Sequence, residues 1–166
     1  VVYLTGDSGS GKSVLLRAIH KDLEEEAAIM NELPEPAELP LIDTLGSSFK
    51  DALALLSMVG LNDAVLFLRS YSELSEGQRY RYKLAQLMES GKKYWLCDEF
   101  CSTLDRTTAK IVAYNVQKQA RRTGTTLIVA TTHNDLQDDL NPNIVIRKGW
   151  EDEISIKYRT NLKKKS

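Results

Sequence analysis

The sequence predicts an α/β protein with a mainly parallel sheet flanked by helices. Three observations carry this prediction. Val1-Val2-Tyr3-Leu4-Thr5, Tyr94-Trp95-Leu96-Cys97 and Thr126-Leu127-Ile128-Val129-Ala130 are continuous apolar runs of strand length, the pattern of strands buried on both faces. Helical patterns alternate with these runs, as in a sheet covered by helices on each side. The three runs lead into a glycine-rich loop, an acidic pair and a Thr-Thr-His segment. Such residues belong at the C-terminal strand ends, where ligands bind in parallel sheets.

Each element follows from its local pattern. After the loop, a helix from Val14 to about Ala28 places Leu15, Leu16, Ile19 and Leu23 on one side, with Lys21, Asp22, Glu24 and Glu25 largely outward. His20 reads as a solvent-facing or capping residue of this helix. Pro34, Pro36 and Pro40 impose a rigid surface connection, and Leu41-Ile42 is a short strand ending at Asp43. Ser47 or Ser48 caps the next helix, which carries Leu53, Leu56 and Val59 and stops at Gly60. Leu61 to Leu68 is a second short apolar element, and Tyr71 to Ser75 is a loop. A helix from about Glu76 to Ser90 turns Tyr80, Leu84, Leu87 and Met88 inward and ends at Gly91. Residues from about 44 to 90 thus form a short helical subdomain. Thr107 to Arg122 is a long helix closed by Gly124. Ile144-Val145-Ile146 and Ile154-Ser155-Ile156, on either side of Gly149-Trp150-Glu151-Asp152, read as a C-terminal β-hairpin. Lys163-Lys164-Lys165 reads as a solvated end.

The 166 residues suffice for one domain with a substantial core. A hydrophobic content of 42% and a net charge of −1 describe an ordinary globular chain with no overall field toward nucleic acid or an anionic membrane. No apolar run is long enough to span a bilayer and no signal peptide is evident, so the expected location is cytoplasmic. Cys97 and Cys101 read as small core residues in a reducing compartment rather than metal ligands. The chain opens inside a strand without an initiator Met, and reads as a piece of a longer protein.

The chemistry concentrates in two stretches. Gly6-Asp7-Ser8-Gly9-Ser10-Gly11-Lys12-Ser13 fits G-x-x-x-x-G-K-S/T between a strand and a helix, the context that gives this phosphate-loop (P-loop) pattern meaning. Its glycines let backbone N–H groups turn around phosphate oxygens, and the helix N-terminus adds partial positive charge. Lys12 reaches the β- and γ-phosphates and Ser13 offers a hydroxyl to Mg²⁺. Asp98 and Glu99 end a buried strand, where Asp98 can hold Mg²⁺ opposite Ser13 and Glu99 can polarise an attacking water.

Further motifs carry a resemblance. Leu74-Ser75-Glu76-Gly77-Gln78 is similar to the L-S-G-G-Q signature of ABC ATPases, with Glu76 at the third position. Asp98-Glu99-Phe100-Cys101-Ser102-Thr103-Leu104-Asp105 resembles, without a gap, the family's Walker B segment and D-loop, D-E-P-x-S-A-L-D. His133 stands at the switch-histidine position. The order and spacing of the motifs match, and the resemblance covers nearly the whole chain, from Val2 to about Lys148. It implies a P-loop NTPase fold, with ATP and Mg²⁺ as ligands. Ser75, Gly77 and Gln78 would face the nucleotide of a second subunit, and Asp105 would connect the two sites. His133 would contact the γ-phosphate and Glu99 would act as the catalytic carboxylate.

Three departures stand out. Leu41-Ile42-Asp43-Thr44 has no Gln where the family's Q-loop is expected. Either Asp43 or Thr44 substitutes for it, or no side chain fills that role near Mg²⁺. Phe100 replaces the usual Pro, which predicts a less fixed turn. The family's N-terminal antiparallel β-subdomain, with its adenine-stacking aromatic, is absent from this chain.

The resemblance implies a soluble ABC-type ATPase forming an ATP-dependent homodimer that moves an attached domain or soluble partner. The short segment between Asp43 and Leu74 and the run from Tyr71 to Tyr82 resemble the small prokaryotic type fused to a predicted acetyltransferase domain. Alternative readings are the nucleotide-binding subunit of an ABC transporter and a non-hydrolysing ATP-gated switch. A small-molecule kinase is disfavoured, since it has no use for the signature with Asp105 and His133. Arg79, Arg81 and Lys83 read as a solvated basic face, and contact with nucleic acid stays open.

Overall fold

The computed structural model describes residues 1–159; the lysine run near the C-terminus lies outside them. One six-stranded sheet runs through the molecule. Strand β1 (Val2–Thr5) lies between β4 (Thr126–Ala130) and β5 (Ile144–Lys148), parallel to both. Beyond β4 come β3 (Tyr94–Cys97) and β2 (Ala27–Ile29), also parallel. Strand β6 (Ile154–Tyr158) closes the other edge, antiparallel to β5, so the predicted hairpin is present. The full order is β2-β3-β4-β1-β5-β6.

The pleat divides the apolar runs between two layers. Leu4, Leu96, Ile128 and Ala130 pack with Leu16 of helix α1 (Lys12–Leu23) on one face. Tyr3, Trp95, Cys97, Leu127 and Val129 belong to a larger core. That core includes Val112, Ala113 and Val116 of α5 (Arg106–Thr123) and Leu84 and Leu87 of α4 (Glu76–Met88). Helix α2 (Phe49–Met58) adds Ala52 and Leu56 to it. Helices α3 (Ala64–Phe67) and α6 (Gln137–Leu140) are single turns.

Two expectations are corrected around the second strand. The helix after the loop stops at Leu23 rather than near Ala28. Glu24 breaks it with a left-handed φ of 48°, and Glu24–Glu26 form one 3₁₀ turn. Three acids at the C-terminal end of a helix oppose its dipole, which favours this early stop. Ala27-Ala28-Ile29 then enter the sheet and are buried. The segment at Leu41–Asp43 is not a strand but a 3₁₀ turn. Pro40 has no N–H to give a ladder, and the Leu41 N–H donates to the Arg69 carbonyl. Within the short apolar element Leu61–Leu68 lies helix α3.

Ser48, one of the two proposed caps, accepts the Asp51 N–H and starts α2. Gly124 closes α5 in the left-handed conformation, as predicted.

Leu96 sits at the centre of the smaller layer, between α1 and the sheet, with no exposed surface. Leu96→Ala should therefore lower the unfolding free energy by about 2–5 kcal/mol, the usual cost of a buried leucine truncation, in urea titrations.

Candidate functional site

Because β3, β4, β1 and β5 are neighbours and parallel, their C-terminal ends share one edge of the sheet. The glycine-rich loop, Asp98-Glu99, the Thr131–His133 segment and the Lys148–Trp150 turn all leave from that edge.

The loop is built around close approaches. At Gly6 (φ 149°) a Cβ would collide with the Lys148 carbonyl oxygen, so only glycine lets β1 and β5 run this close. Gly11 (φ 93°) stands in the left-handed region at the start of α1. The Ser10 N–H donates to the Asp7 carbonyl at 3.1 Å and closes the turn. Lys12 is only 7% exposed. Its ammonium folds back over the loop and donates to the carbonyls of Gly6 at 2.8 Å and Asp7 at 2.7 Å. An ammonium has three N–H donors, so one remains beyond these two bonds. The buried Ser10 hydroxyl has no hydrogen-bond partner among the described residues. A glycine-rich loop at a helix N-terminus, a buried cation and an orphaned hydroxyl together fit an anion such as a polyphosphate.

The turn after β3 is held from several sides. Glu99 and Cys101 both take left-handed backbone, with φ of 50° and 55°, a conformation that non-glycine residues adopt at a cost. Asp98 accepts the Glu99 N–H at 2.9 Å. The expectation of a loose turn at Phe100 is corrected. The ring is fully buried, and the Phe100 backbone N–H donates to the Ala130 carbonyl at 2.9 Å. A proline there could not make that bond. Next along, the Cys101 N–H donates to the Tyr80 hydroxyl at 2.8 Å, tying the turn to α4.

Arg106 completes the frame. It donates to the Cys101 carbonyl at 3.0 Å and forms a two-pronged pair with Asp135 at 2.8 and 2.7 Å. These hydrogen bonds hold the Asp135 carboxyl below its usual range. One side chain thus joins the turn after β3 to the segment that follows His133. The His133 N–H donates to the Thr131 hydroxyl at 3.1 Å, and its carbonyl accepts the Tyr3 hydroxyl. Asp105 caps α5 by accepting the Thr108 N–H at 3.0 Å, and its hydrogen bonds to Thr108 hold its carboxyl low. Both thiols are buried, which pushes Cys97 well up and Cys101 up to about 12, as suits core residues rather than reactive ones.

Ser75, Gly77 and Gln78 stand elsewhere, at the start of α4. Ser75 accepts the Gln78 N–H while the Gln78 side chain accepts the Ser75 N–H, a reciprocal cap. A Cβ on Gly77 would meet Leu104 at an ordinary 3.5 Å, so the fold itself does not demand glycine there. Among the described residues, no hydrogen bond joins 74–78 to 6–13.

Neither proposed Q-loop substitute reaches this edge by the expected route. Thr44 bonds the Leu41 carbonyl and the Tyr82 hydroxyl within the helical layer, and Asp43 ends the 3₁₀ turn. Ile29 pairs with Leu96, so the chain leaves β2 at Met30-Asn31-Glu32, beside the residues that lead to Asp98. Asn31 and Glu32 are the polar residues at that exit. The basic trio is engaged internally. Arg79 donates to the Ser72 carbonyl, Arg81 to those of Gly60 and Gly77, and Lys83 to that of Leu33.

Among the described residues, no group of three or more His, Cys, Asp and Glu could hold a metal. Ser13 and Asp98 offer one hydroxyl and one carboxylate oxygen, which suits Mg²⁺ shared with phosphate oxygens rather than an all-protein cage. A cleft of about 690 Å³ between α6 and the β5–β6 hairpin contains none of the predicted site residues.

Fold and loop define a P-loop nucleotide-binding protein. No protein-family model matches the chain. The chain is 33% identical over 153 residues to the cytochrome c biogenesis ATP-binding export protein CcmA of Gluconobacter oxydans, covering 82% of this chain and 69% of that one. It is 26% identical over 182 residues to the protein of the same name from Aliivibrio fischeri, covering 90% and 86%. Among solved structures it resembles in fold the dimeric post-hydrolysis state of an ATP-binding cassette bound to ADP and phosphate. That match has a TM-score of 0.68 and 22% identity, over 95% of this chain and 84% of that one. This chain belongs to the ABC family of ATP-binding proteins.

Tyr80 and Arg106 were not singled out by sequence reasoning for these contacts, because each acts through a neighbour distant in the chain. Tyr80→Phe leaves the buried Cys101 N–H without its acceptor. It should lower the unfolding free energy by about 1–3 kcal/mol, measured by chemical denaturation.

Proposed function

We propose that this chain binds Mg-ATP at Gly6–Ser13 and hydrolyses it within a head-to-tail homodimer. The observation that carries this reading is the shared sheet edge, which gathers the loop, Asp98-Glu99 and His133, while the exposed cap Ser75 stands apart from them.

In this reading the N–H groups of Gly6, Asp7, Ser8, Gly9, Ser10 and Gly11 surround the phosphates, and Lys12 contacts the β- and γ-phosphates. Ser13 and Asp98 hold Mg²⁺, which when bound neutralises charge on the phosphate oxygens. Glu99 accepts a proton from the water that attacks the γ-phosphorus, the bond to the ADP oxygen breaks, and phosphate leaves. His133 contacts the γ-phosphate from the same subunit. Ser75, Gly77 and Gln78 face the partner's nucleotide with the N-terminal end of α4. Asp105, next to Arg106 and its bonds to both catalytic segments, connects the two sites. The whole chain, 1–166, is one ATPase domain whose helical subdomain covers about 44–90.

Closure of the dimer does work on an attached domain or a partner. The names of the relatives favour a transporter subunit as the second reading, since both are ATP-binding export proteins. Among the described residues no helix is long and apolar enough to cross a membrane. Exposed Phe49, Val65 and Leu68 on the helical layer are compatible with a docked partner. An acetyltransferase fusion rests on the sequence resemblance alone, and a cytoplasmic location on the lack of an apolar span or signal peptide in this sequence. The non-hydrolysing switch keeps its motive, because the chain leaves β2 at Met30-Asn31-Glu32, where no Gln stands either.

Lys12→Ala should abolish ATP binding in calorimetry; unchanged affinity would remove the P-loop assignment. Glu99→Gln should bind ATP but turn it over about 100-fold or more slowly, and should accumulate as a dimer in light scattering only with Mg-ATP. A monomer at saturating Mg-ATP would overturn the sandwich.

A further inference from the structure

The turn between β5 and β6 carries a side chain that the core does not use. Trp150 is 60% exposed, although it is one of the largest apolar side chains in the molecule. Its position follows from register. Thr5 pairs with Arg147, so the chain leaves β5 at the same height at which β1 enters the P-loop. The Lys148 carbonyl lies against Gly6, and the Lys148 side chain passes 3.9 Å from where a Cβ on Gly11 would stand. Trp150 then comes down on the loop itself. Its Cη2 and Cζ3 atoms lie 3.7 and 4.0 Å from a Cβ built on Gly9.

The backbone of this turn is well tied. The Gly149 N–H donates to the Glu153 carbonyl at 2.8 Å and the Glu153 N–H to the Trp150 carbonyl at 3.3 Å. Lys148 reaches across the turn to the carbonyls of Gly149 and Glu151. The indole is therefore presented from a braced turn, with the edge of its six-membered ring beside the loop and much of its surface left to solvent. The other aromatic residues are placed differently. Tyr158 pairs opposite Ile144, at the far end of the hairpin. Trp95 and Tyr3 are buried in the sheet, and Phe49 and Tyr114 belong to α2 and α5.

We infer that Trp150 supplies the surface on which the base of the bound nucleotide stacks. This rests on the reading of Gly6–Ser13 as a nucleotide phosphate site. A nucleotide held there by its phosphates must project its sugar and base out of the loop, and the indole borders the loop on the β5 side. Indole and purine rings gain from stacking because both are flat, polarisable and poorly hydrated on their faces. Stacking accepts any base with a π-face, so the site binds purine nucleoside triphosphates with little discrimination between adenine and guanine.

The test compares ATP with inorganic tripolyphosphate, which has the phosphates but no base, by calorimetry on the full chain. The wild type should bind ATP more tightly than tripolyphosphate. Trp150→Ala should weaken ATP about 5- to 150-fold and leave tripolyphosphate unchanged, and Trp150→Phe should recover most of the loss. Unchanged ATP affinity in Trp150→Ala overturns the inference. So does equal weakening of both ligands, which would make the indole a prop for the loop. A wild type that binds tripolyphosphate as tightly as ATP also overturns it while leaving the phosphate site standing. A wild type that binds neither ligand removes the phosphate site, and the inference with it.

Discussion

The close parallel pairing of β1 with β4 and β5 is the constraint on which the rest depends. β1 is only four residues long, yet it is hydrogen-bonded on both sides and packed on both faces. It therefore delivers Thr5 and Gly6 to one height at the sheet edge. The same pairing brings the end of β4 and the end of β5 to that height. Gly6 tolerates the Lys148 carbonyl only because it has no side chain. The glycine-rich loop, an acidic turn and a histidine thus converge without any of them contacting the others through side-chain hydrogen bonds among the described residues.

Around this edge, the fold uses polar side chains to fix segments that short-range geometry leaves costly. Glu99 and Cys101 occupy left-handed backbone, and two residues of that kind so close together would not persist in an isolated turn. They are held by Phe100 buried below, by the Ala130 carbonyl, by the Tyr80 hydroxyl and by Arg106. Arg106 is notable because its pair with Asp135 also anchors the stretch after His133. Movement of α5 would therefore be felt by both segments at once. Asp105 precedes Arg106 and caps the same helix, at the start of that connection.

Much of the site was legible in the sequence because its signals are local. A strand, a glycine-rich loop and a helix N-terminus occupy adjacent positions, and the backbone demands of the loop select glycine at Gly6 and Gly11. The acidic pair after Cys97 and the cap at Ser75 are equally local. The second strand was not legible. Ala27-Ala28-Ile29 continues a helical pattern as readily as it forms a strand, and three residues carry too little periodicity to decide. Leu41-Ile42 looked more like a strand, but its apolar side chains are buried in the helical layer instead. The polar residues that follow the true second strand, Asn31 and Glu32, therefore lie well ahead of Asp43 in the chain.

By itself the sequence determined the order of the motifs, the α/β class and the chemistry available at each strand end, because these depend on residues adjacent in the chain. The tertiary structure alone decided which strand is second, which side chains brace the Glu99 turn, and that Trp150 stands beside Gly9. Those outcomes depend on strand register and on which layers pack together. Register is set by total burial over the whole sheet, and no short stretch of sequence carries that sum.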